Sequence, residues 1–308
     1  MPFRFPEFYV ALTLLAALLF AAGNALQKQA VASRLQPLAT AALLRRGRQL
    51  FAPLVRSPIW MLGLAITIAA FAVEIQALAL GDVTVVKPLS RVQILFVVTI
   101  GVGALGERLA RVEWFGVALI VAGAVFLARE PGDARVWVPR TAVIVAVAVS
   151  VGAIVTTSLW FTERGLDRRR REHAPALAAG AFFGLGDILM KAATDVARAG
   201  TGGFSLTSPD TLVSLAGAPE LVLSLAATTI AFSVQQIAFS RGRVSLVVPL
   251  VGVAGTAVVV LLGATLLREQ VSAARAASIA VMLAGTVLIG RGAQRDARHG
   301  STLGRLAP

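Results

Sequence analysis

FAVEIQALALGDVTVVKP, residues 71–88, aligns without a gap on FSVQQIAFSRGRVSLVVP, residues 232–249. Phe71 meets Phe232, Val73 meets Val234, Gly81 meets Gly242, Val83 meets Val244 and Pro88 meets Pro249. The match extends both ways. One residue of slippage later, Glu107 of GERL (106–109) meets Glu269 of REQV (268–271), Ala122-Gly123 meets Ala284-Gly285, and Arg129 meets Arg291. Upstream, FAAGNALQKQA (20–30) pairs with FGLGDILMKAA (183–193), so Gly23 meets Gly186, Asn24 meets Asp187, Lys28 meets Lys191 and Ala30 meets Ala193. Segments rich in Ala and Val look alike by chance, but chance does not pair Pro, Glu and Lys at the same places. The chain reads as a duplication.

Both copies are made of apolar runs as long as a bilayer is thick. A spanning helix needs about 20 such residues. Runs of this kind occupy 8–31, 58–80, 84–106, 112–128, 139–161, 174–197, 219–240, 244–267 and 272–290, which predicts nine transmembrane helices. The chain is 57% hydrophobic and 15% charged, which leaves too few polar faces for an ordinary soluble enzyme or a disordered chain. The absence of cysteine removes disulfides, thiol catalysis and thiolate metal ligands, and the two histidines, His173 and His299, both stand in charge-rich segments. No G-x-S-x-G, H-E-x-x-H or P-loop pattern occurs, so neither enzymatic activity nor a cofactor is expected. The first run follows Arg4 as a signal peptide would, but eight more runs follow it and no clear A-x-A site does, so it reads as a retained helix. Residues 35–52 hold only ten residues of apolar character before Arg45, Arg46 and Arg48, which suits an interfacial helix; if they span, the count is ten.

Four runs in each copy match, and 139–161 has no counterpart. That odd span turns the second copy over, giving two inverted repeats, the common plan of secondary transporters. The expected fold is an all-α polytopic membrane protein with a first repeat over 1–130, a linking helix in 131–165, a second repeat over 166–292 and a basic cytoplasmic tail, 293–308.

These stretches also resemble a known family. GNALQKQA (23–30), ALALGDVTVVKPL (77–89), the glycine pattern from Gly106 through Gly116 to Gly123, VQQIAFSRGRVSLVVPL (234–250) and REQ (268–270) are similar to the drug/metabolite transporter (DMT, EamA-like) superfamily, and within it to the NIPA-type magnesium transporter branch and its bacterial relatives. The resemblance runs over roughly 8–290. It implies a secondary transporter with a central cavity between the repeats, working by alternating access, with Mg²⁺ or another divalent cation as substrate. The residues leave open an exporter of a small organic metabolite or drug-like compound, and a non-transporting scaffold or regulatory protein that keeps the fold.

Ionisable side chains at membrane depth are costly and often functional. Glu74 leads: a carboxylate relays a proton or ligates a cation, and its counterpart Gln235, followed by Gln236, orients a substrate by hydrogen bonds. Asp187 is the second acid, and Glu74 with Asp187 supplies the hard oxygens that Mg²⁺ requires. Lys28 and Lys191 bind a substrate anion, pair with these acids, or snorkel; Lys191 stands one turn from Asp187, at the spacing of an intrahelical pair. Lys87 and Arg91 oppose a divalent cation. Arg91 sits near a helix N-terminus that disfavours cations, so it needs an anion, either Glu74 or the substrate. Asn24 and Gln27 extend a polar face of the first helix. Pro88 and Pro249 shape the first turns of their helices, where N–H groups have no intrahelical partner. Glu107 and Glu269, at helix C-termini beside Arg108 and Arg268, gate the repeats or form interfacial pairs.

Charge between the spans sets orientation. Under the nine-helix count, 18 arginines (34, 45, 46, 48, 56, 108, 111, 164, 168–171, 241, 243, 291, 295, 298 and 305) fall on one side and 7 (4, 129, 135, 140, 198, 268 and 275) on the other. The N-terminus is expected outside and the C-terminus in the cytoplasm of a plasma (inner) membrane. The same bias accounts for the net charge of +13 without nucleic acid, since the run Arg168–Arg171 has no aromatic platform beside it. The expected partners are the bilayer and a small-molecule or ion substrate, with room for a homodimer. With no native cysteine, single cysteines placed before Phe5 and after Leu303 are expected to react with a membrane-impermeant maleimide from outside and inside respectively. Labelling of both from inside overturns the nine-helix orientation and favours a tenth span at 35–52.

Overall fold

A computed structural model describes residues 5–34, 54–96, 99, 111–130, 137, 139–164, 168–241 and 244–303. The elements are α1 (Phe5–Arg34), α2 (Pro58–Leu80), α3 (Val83–Leu89), α4 (Arg111–Arg129), α5 (Thr141–Arg164), α6 (Arg168–Thr201), α7 (Pro209–Gly217), α8 (Pro219–Arg241), α9 (Val244–Thr265) and α10 (Ala273–Leu303). A 3-10 turn, Ser90–Val92, follows α3.

Seven of the described helices, α1, α2, α4, α5, α6, α8 and α9, are long and apolar enough to cross a bilayer. The chain is an all-α, multi-spanning membrane protein. The expected nine are not reached among the described residues, for two reasons. The run 84–106 begins as α3, tightens into the 3-10 turn just after Pro88, and leaves the described residues beyond 96 apart from Thr99. The run 272–290 is helical, and its apolar part among the described residues, Ala273–Ile289, lies at the short end of the lengths that cross a bilayer. α10 continues to Leu303, so helix takes in much of the expected tail. The segment 35–52 lies outside the described residues. α7 has no apolar run behind it; its signal is Ser208-Pro209-Asp210, an N-cap residue, a proline at the helix start and an acid in the first turn.

α6 is the centre of the assembly. It runs along α8 and α9 and also meets α2, α5 and α7. An 18-residue window within His173–Thr201 is 83% buried, against 6% for one within Thr141–Thr162 of α5. Side-chain size explains the contrast. α6 presents Ala176, Ala179, Gly180 and Gly184 to its neighbours, and a Cβ on Gly184 would stand 2.5 Å from the Gly255 carbonyl oxygen of α9. α5, the helix without a repeat counterpart, lies at the edge with Val149, Ile154 and Phe161 exposed.

Close helix approaches recur at aligned positions. On α1 a Cβ at Gly23 would lie 2.5 Å from Thr67 Oγ1 and 2.9 Å from the Gly63 carbonyl oxygen of α2. On α6 a Cβ at Gly186 would lie 2.6 Å from Thr228 Oγ1 and 3.4 Å from the Ser224 carbonyl oxygen of α8. Gly23 aligns with Gly186, Thr67 with Thr228 and Gly63 with Ser224. Between α4 and α10 the contact is self-complementary. Gly116 faces the Gly285 carbonyl and Gly123 faces the Ser278 carbonyl, while Gly116 aligns with Ser278 and Gly123 with Gly285. Such reciprocity belongs to a two-fold contact.

Gly285→Ala would bring a methyl to 2.5 Å from the Gly116 carbonyl oxygen. Overpacking of this kind costs about 1–3 kcal/mol. Thermal unfolding of purified protein is expected to show that loss for Gly285→Ala and almost none for Gly152→Ala, whose nearest neighbour is Phe182 at 3.9 Å.

Candidate functional site

The interior cavity, about 100 Å³, lies among α1, α2, α6, α8, α9 and the turn after α3. Its walls are paired. Phe20 and Phe183, Asn24 and Asp187, Phe71 and Phe232, Glu74 and Gln235, Lys87 and Val248, and Ser90 and Val251 are aligned positions, and all twelve line it. Four phenylalanines and two valines make most of it apolar. The charges sit at one place.

Lys87 holds that place. Its Nζ lies 2.6 Å from Glu74 Oε2 and 2.7 Å from Asp187 Oδ1, joining α3 to α2 and α6. All three residues are buried, at 3% exposure for Glu74, 5% for Lys87 and 8% for Asp187. The second Glu74 oxygen accepts from Ser90 Oγ at 3.1 Å, and Ser90 Oγ also lies 3.0 Å from the Val86 carbonyl oxygen. Pairing and hydrogen bonding are what make buried charge tolerable. The ammonium therefore fills the position between the two acids that a metal ion would take, and the described residues contain no group of three metal-ligating side chains. Lys87 entered the sequence reading only as a charge opposing a cation, because its counterpart is Val248.

Arg91 also lines the cavity, but its hydrogen bond goes to neither acid. Its Nε donates to Thr256 Oγ1 of α9 at 3.1 Å, and its chain lies over Gly252, where a Cβ would be 3.4 Å from Arg91 Cδ. Gly252 is the aligned counterpart of Arg91. A small residue at this position lets Arg91 lie alongside the backbone of α9. Asn24 and Gln235 line the cavity and Gln236 does not. Gln27 is spent on helix packing, donating to Thr67 Oγ1 at 3.0 Å. The side chain of Lys28 and the whole of Glu107 lie outside the described residues.

Lys191 is not in the cavity, and the pair expected with Asp187 is absent. It binds the other way along α6, to Asp195 Oδ1 at 2.9 Å, and donates to the Leu78 carbonyl at 2.9 Å. One turn beyond Asp187 it has already left the cavity for a second polar layer. Arg198 donates to the Ala79 carbonyl at 3.1 Å. Arg275 of α10 binds Asp82 Oδ2 at 3.1 Å and Thr84 Oγ1 at 3.0 Å. Burial and the nearby Glu269 push the Asp82 carboxyl up to about 6, against the pull of Arg275.

Glu269 belongs to this layer too, by a route unlike the expected pairing with Arg268. After α9 the chain turns back on itself: Glu269 N–H reaches the Gly263 carbonyl at 3.0 Å, with Arg268 left-handed at φ 56. That turn points Glu269 at the start of α3, where its two oxygens accept from Val83 N–H at 2.8 Å and Thr84 N–H at 2.9 Å. Its charge thus meets a helix N-terminus and is stabilised there, while Arg268 stacks on Trp137 at 4.3 Å. Pro88 and Pro249 each stand sixth in their helices, one turn deeper than expected. Each leaves a carbonyl four residues back without its helical partner.

Removing one partner of a buried ion pair costs about 3–5 kcal/mol because the other charge is stranded. Lys87→Met strands two carboxylates. It is expected to lower stability by at least that amount in reversible unfolding in mixed micelles, and the triple variant Lys87→Met, Glu74→Gln, Asp187→Asn is expected to recover most of the loss. A triple variant as unstable as the single one contradicts the pairing.

No family model matches the chain, and no solved structure matches it. An uncharacterised transporter encoded in the cobO 3′ region of a Sinorhizobium species is 47% identical over 66 residues, which is 21% of this chain. The chain spans about half the length, 46%, of that relative. An uncharacterised protein of Corynebacterium glutamicum is 24% identical over 250 residues, covering 76% of this chain and 80% of its own length.

Proposed function

We propose that the chain is a secondary transporter of the DMT type that carries a small organic solute by alternating access between two inverted four-helix repeats. The observation that carries this reading is the cavity: six aligned pairs wall it, and a buried Glu74–Lys87–Asp187 cluster sits in it at membrane depth. The reciprocal contact of α4 with α10 supports a two-fold axis through the molecule, and the outlying α5 supports its role as the helix that inverts the second repeat. The layer of Asp82–Arg275, Lys191–Asp195 and the Glu269 cap lies beside the cavity, beginning one turn beyond Asp187 along α6. By the arginine bias it stands on the outer side. The similarity to a Sinorhizobium transporter agrees with the class.

An organic solute outranks Mg²⁺ on one observation. The acids a divalent cation needs are both engaged by Lys87, and Arg91 adds a second positive charge to the same cavity. A non-transporting scaffold has no use for charges held at such cost beside an open cavity.

The test is flux into proteoliposomes loaded with purified protein. Labelled amino acids, nucleobases and small cations, with Mg²⁺ among them, are compared with and without a proton gradient. Saturable movement of an organic solute is expected, with a loss of about tenfold or more in Glu74→Gln, whose neutral amide keeps the shape but releases Lys87. Flux of Mg²⁺ alone returns the cation reading, and no flux of any solute by well-folded protein defeats the transporter reading.

A further inference from the structure

The turn between α2 and α3, Gly81-Asp82, is gripped from the other half of the chain. Where α2 ends, the Leu78 carbonyl accepts from Lys191 Nζ at 2.9 Å and the Ala79 carbonyl from Arg198 Nη1 at 3.1 Å. Where α3 begins, Glu269 accepts from Val83 N–H at 2.8 Å and from Thr84 N–H at 2.9 Å. Between them Asp82 Oδ2 meets Arg275 Nη1 at 3.1 Å, and the same nitrogen donates to Thr84 Oγ1 at 3.0 Å. Lys191, Arg198, Glu269 and Arg275 all belong to the second half, and the turn they hold belongs to the first. Helix ends carry N–H and C=O groups that the helix itself cannot pair. Both ends flanking this turn are paired across the boundary between the halves.

The grip stands directly beyond the cavity. On α2 the lining among the described residues is Thr67, Phe71 and Glu74, and Leu78 is one turn further on. On α6 it is Phe183 and Asp187, and Lys191 is one turn further on. Gly81 also seats Tyr9 of α1: a Cβ there would lie 2.9 Å from Tyr9 Cδ2, and Tyr9 is buried. The groups that hold the turn lie at helix ends, beyond the depth of the Lys87 cluster. Water can replace their partners if the turn swings toward the face, so the contact can be broken and remade without stranding a charge in lipid.

The duplication carries the same pair with its signs exchanged. Asp82 aligns with Arg243 and Arg275 with Glu113. Glu113 is buried in the first turn of α4, as Arg275 is in the first turn of α10. α4 and α10 run antiparallel, with Gly116 against Gly285 and Gly123 against Ser278, so Glu113 and Arg275 stand at opposite ends of the helix pair. An exchange of sign keeps the attraction and discards the identity of either side chain. We propose that the α2–α3 turn is a latch between the two halves. With Asp82 on Arg275 and Glu269 on the start of α3 the cavity is shut on this face, and release of the turn opens it there. The latch rests on the reading that the cavity is reached from two faces in turn.

Single-cysteine labelling of the full-length protein in right-side-out and inverted membrane vesicles tests the latch without a substrate. Val248→Cys lines the cavity and is the reporter. Gly203→Cys, exposed and with nothing within 4 Å of its Cβ position, follows the end of α6 and marks the face of the turn. A membrane-impermeant maleimide is applied from each face, and its rate follows the population open on that side. Asp82→Asn with Arg275→Met removes both charges of the pair, so neither is left stranded. It is expected to raise the rate at Val248→Cys from the marked face by at least about tenfold, and to leave the rate from the other face equal or lower. Glu269→Gln loosens the hold on α3 without touching the pair and is expected to shift the rates in the same direction; if the double variant does not fold, this variant alone decides. Rates that rise equally from both faces report general loosening and overturn the latch, as does an unchanged rate from the marked face. A one-sided rise with no flux of any solute leaves the latch standing and defeats the transporter reading. Solute flux with unchanged labelling leaves the transporter reading standing and defeats the latch.

Discussion

The ammonium of Lys87 between Glu74 and Asp187 is the contact on which the rest depends. It ties the short helix α3 to α2 of its own half and to α6 of the other half, at the depth where water is least available to replace either partner. A buried charge must be paired or neutralised, so the three elements are held in one arrangement for as long as all three groups are ionised. Ser90 occupies the remaining Glu74 oxygen, and the 3-10 turn that begins at Ser90 carries Arg91 into the same cavity. A break in helical geometry just after Pro88 thus serves the site: it turns two consecutive polar residues toward the interior.

Around this cluster the two halves share a scaffold and differ in chemistry. Gly23 and Gly186 make the same kind of approach to a threonine on the next helix, and α4 meets α10 through reciprocal glycine contacts. These contacts depend on small residues, which let backbones approach without a hydrophobic drive that lipid cannot supply. The cavity side chains break the likeness. The acid at position 74 faces an amide at Gln235, and the acid at position 187 faces an amide at Asn24. Both cations, Lys87 and Arg91, come from the first half, opposite Val248 and Gly252. Like charges at both aligned positions would repel across a short distance, so a shared cavity favours one charged group and one neutral mate.

The second ionic layer lies beside the cavity and is built on helix ends. Glu269 caps α3 because the left-handed residue Arg268 redirects the chain after α9, and Arg275 joins Asp82 across the same boundary. Helix ends carry unsatisfied N–H and C=O groups, and charged side chains that meet them gain more than they would by pairing with a sequence neighbour. That is why Glu269 leaves Arg268 and why Lys191 reaches the Leu78 carbonyl, while its ion pair stays on its own helix, with Asp195 one turn on.

The amino-acid sequence alone determined the class of this protein. Apolar runs at bilayer length and the match of residues 71–88 to 232–249 are one-dimensional patterns, and the first follows from local requirements on helices in lipid. It also marked Glu74, Asp187, Asn24, Gln235 and Arg91 as polar residues at depth, because charge in an apolar run stands out without any knowledge of contacts. Which charge meets which was not legible there. Lys87 looked like an obstacle to a cation site, and Lys191 looked like the mate of Asp187, because spacing along a helix reports only neighbours on the same helix. Pairing across α2, α3 and α6 depends on how three helices are rotated and set against one another. That rotation depends on close glycine contacts such as Gly184 with Gly255 and Gly186 with Thr228. Only the tertiary structure decided that Lys87 sits between the acids, that Arg91 lies against Gly252 and Thr256, and that Lys191 lies outside the cavity.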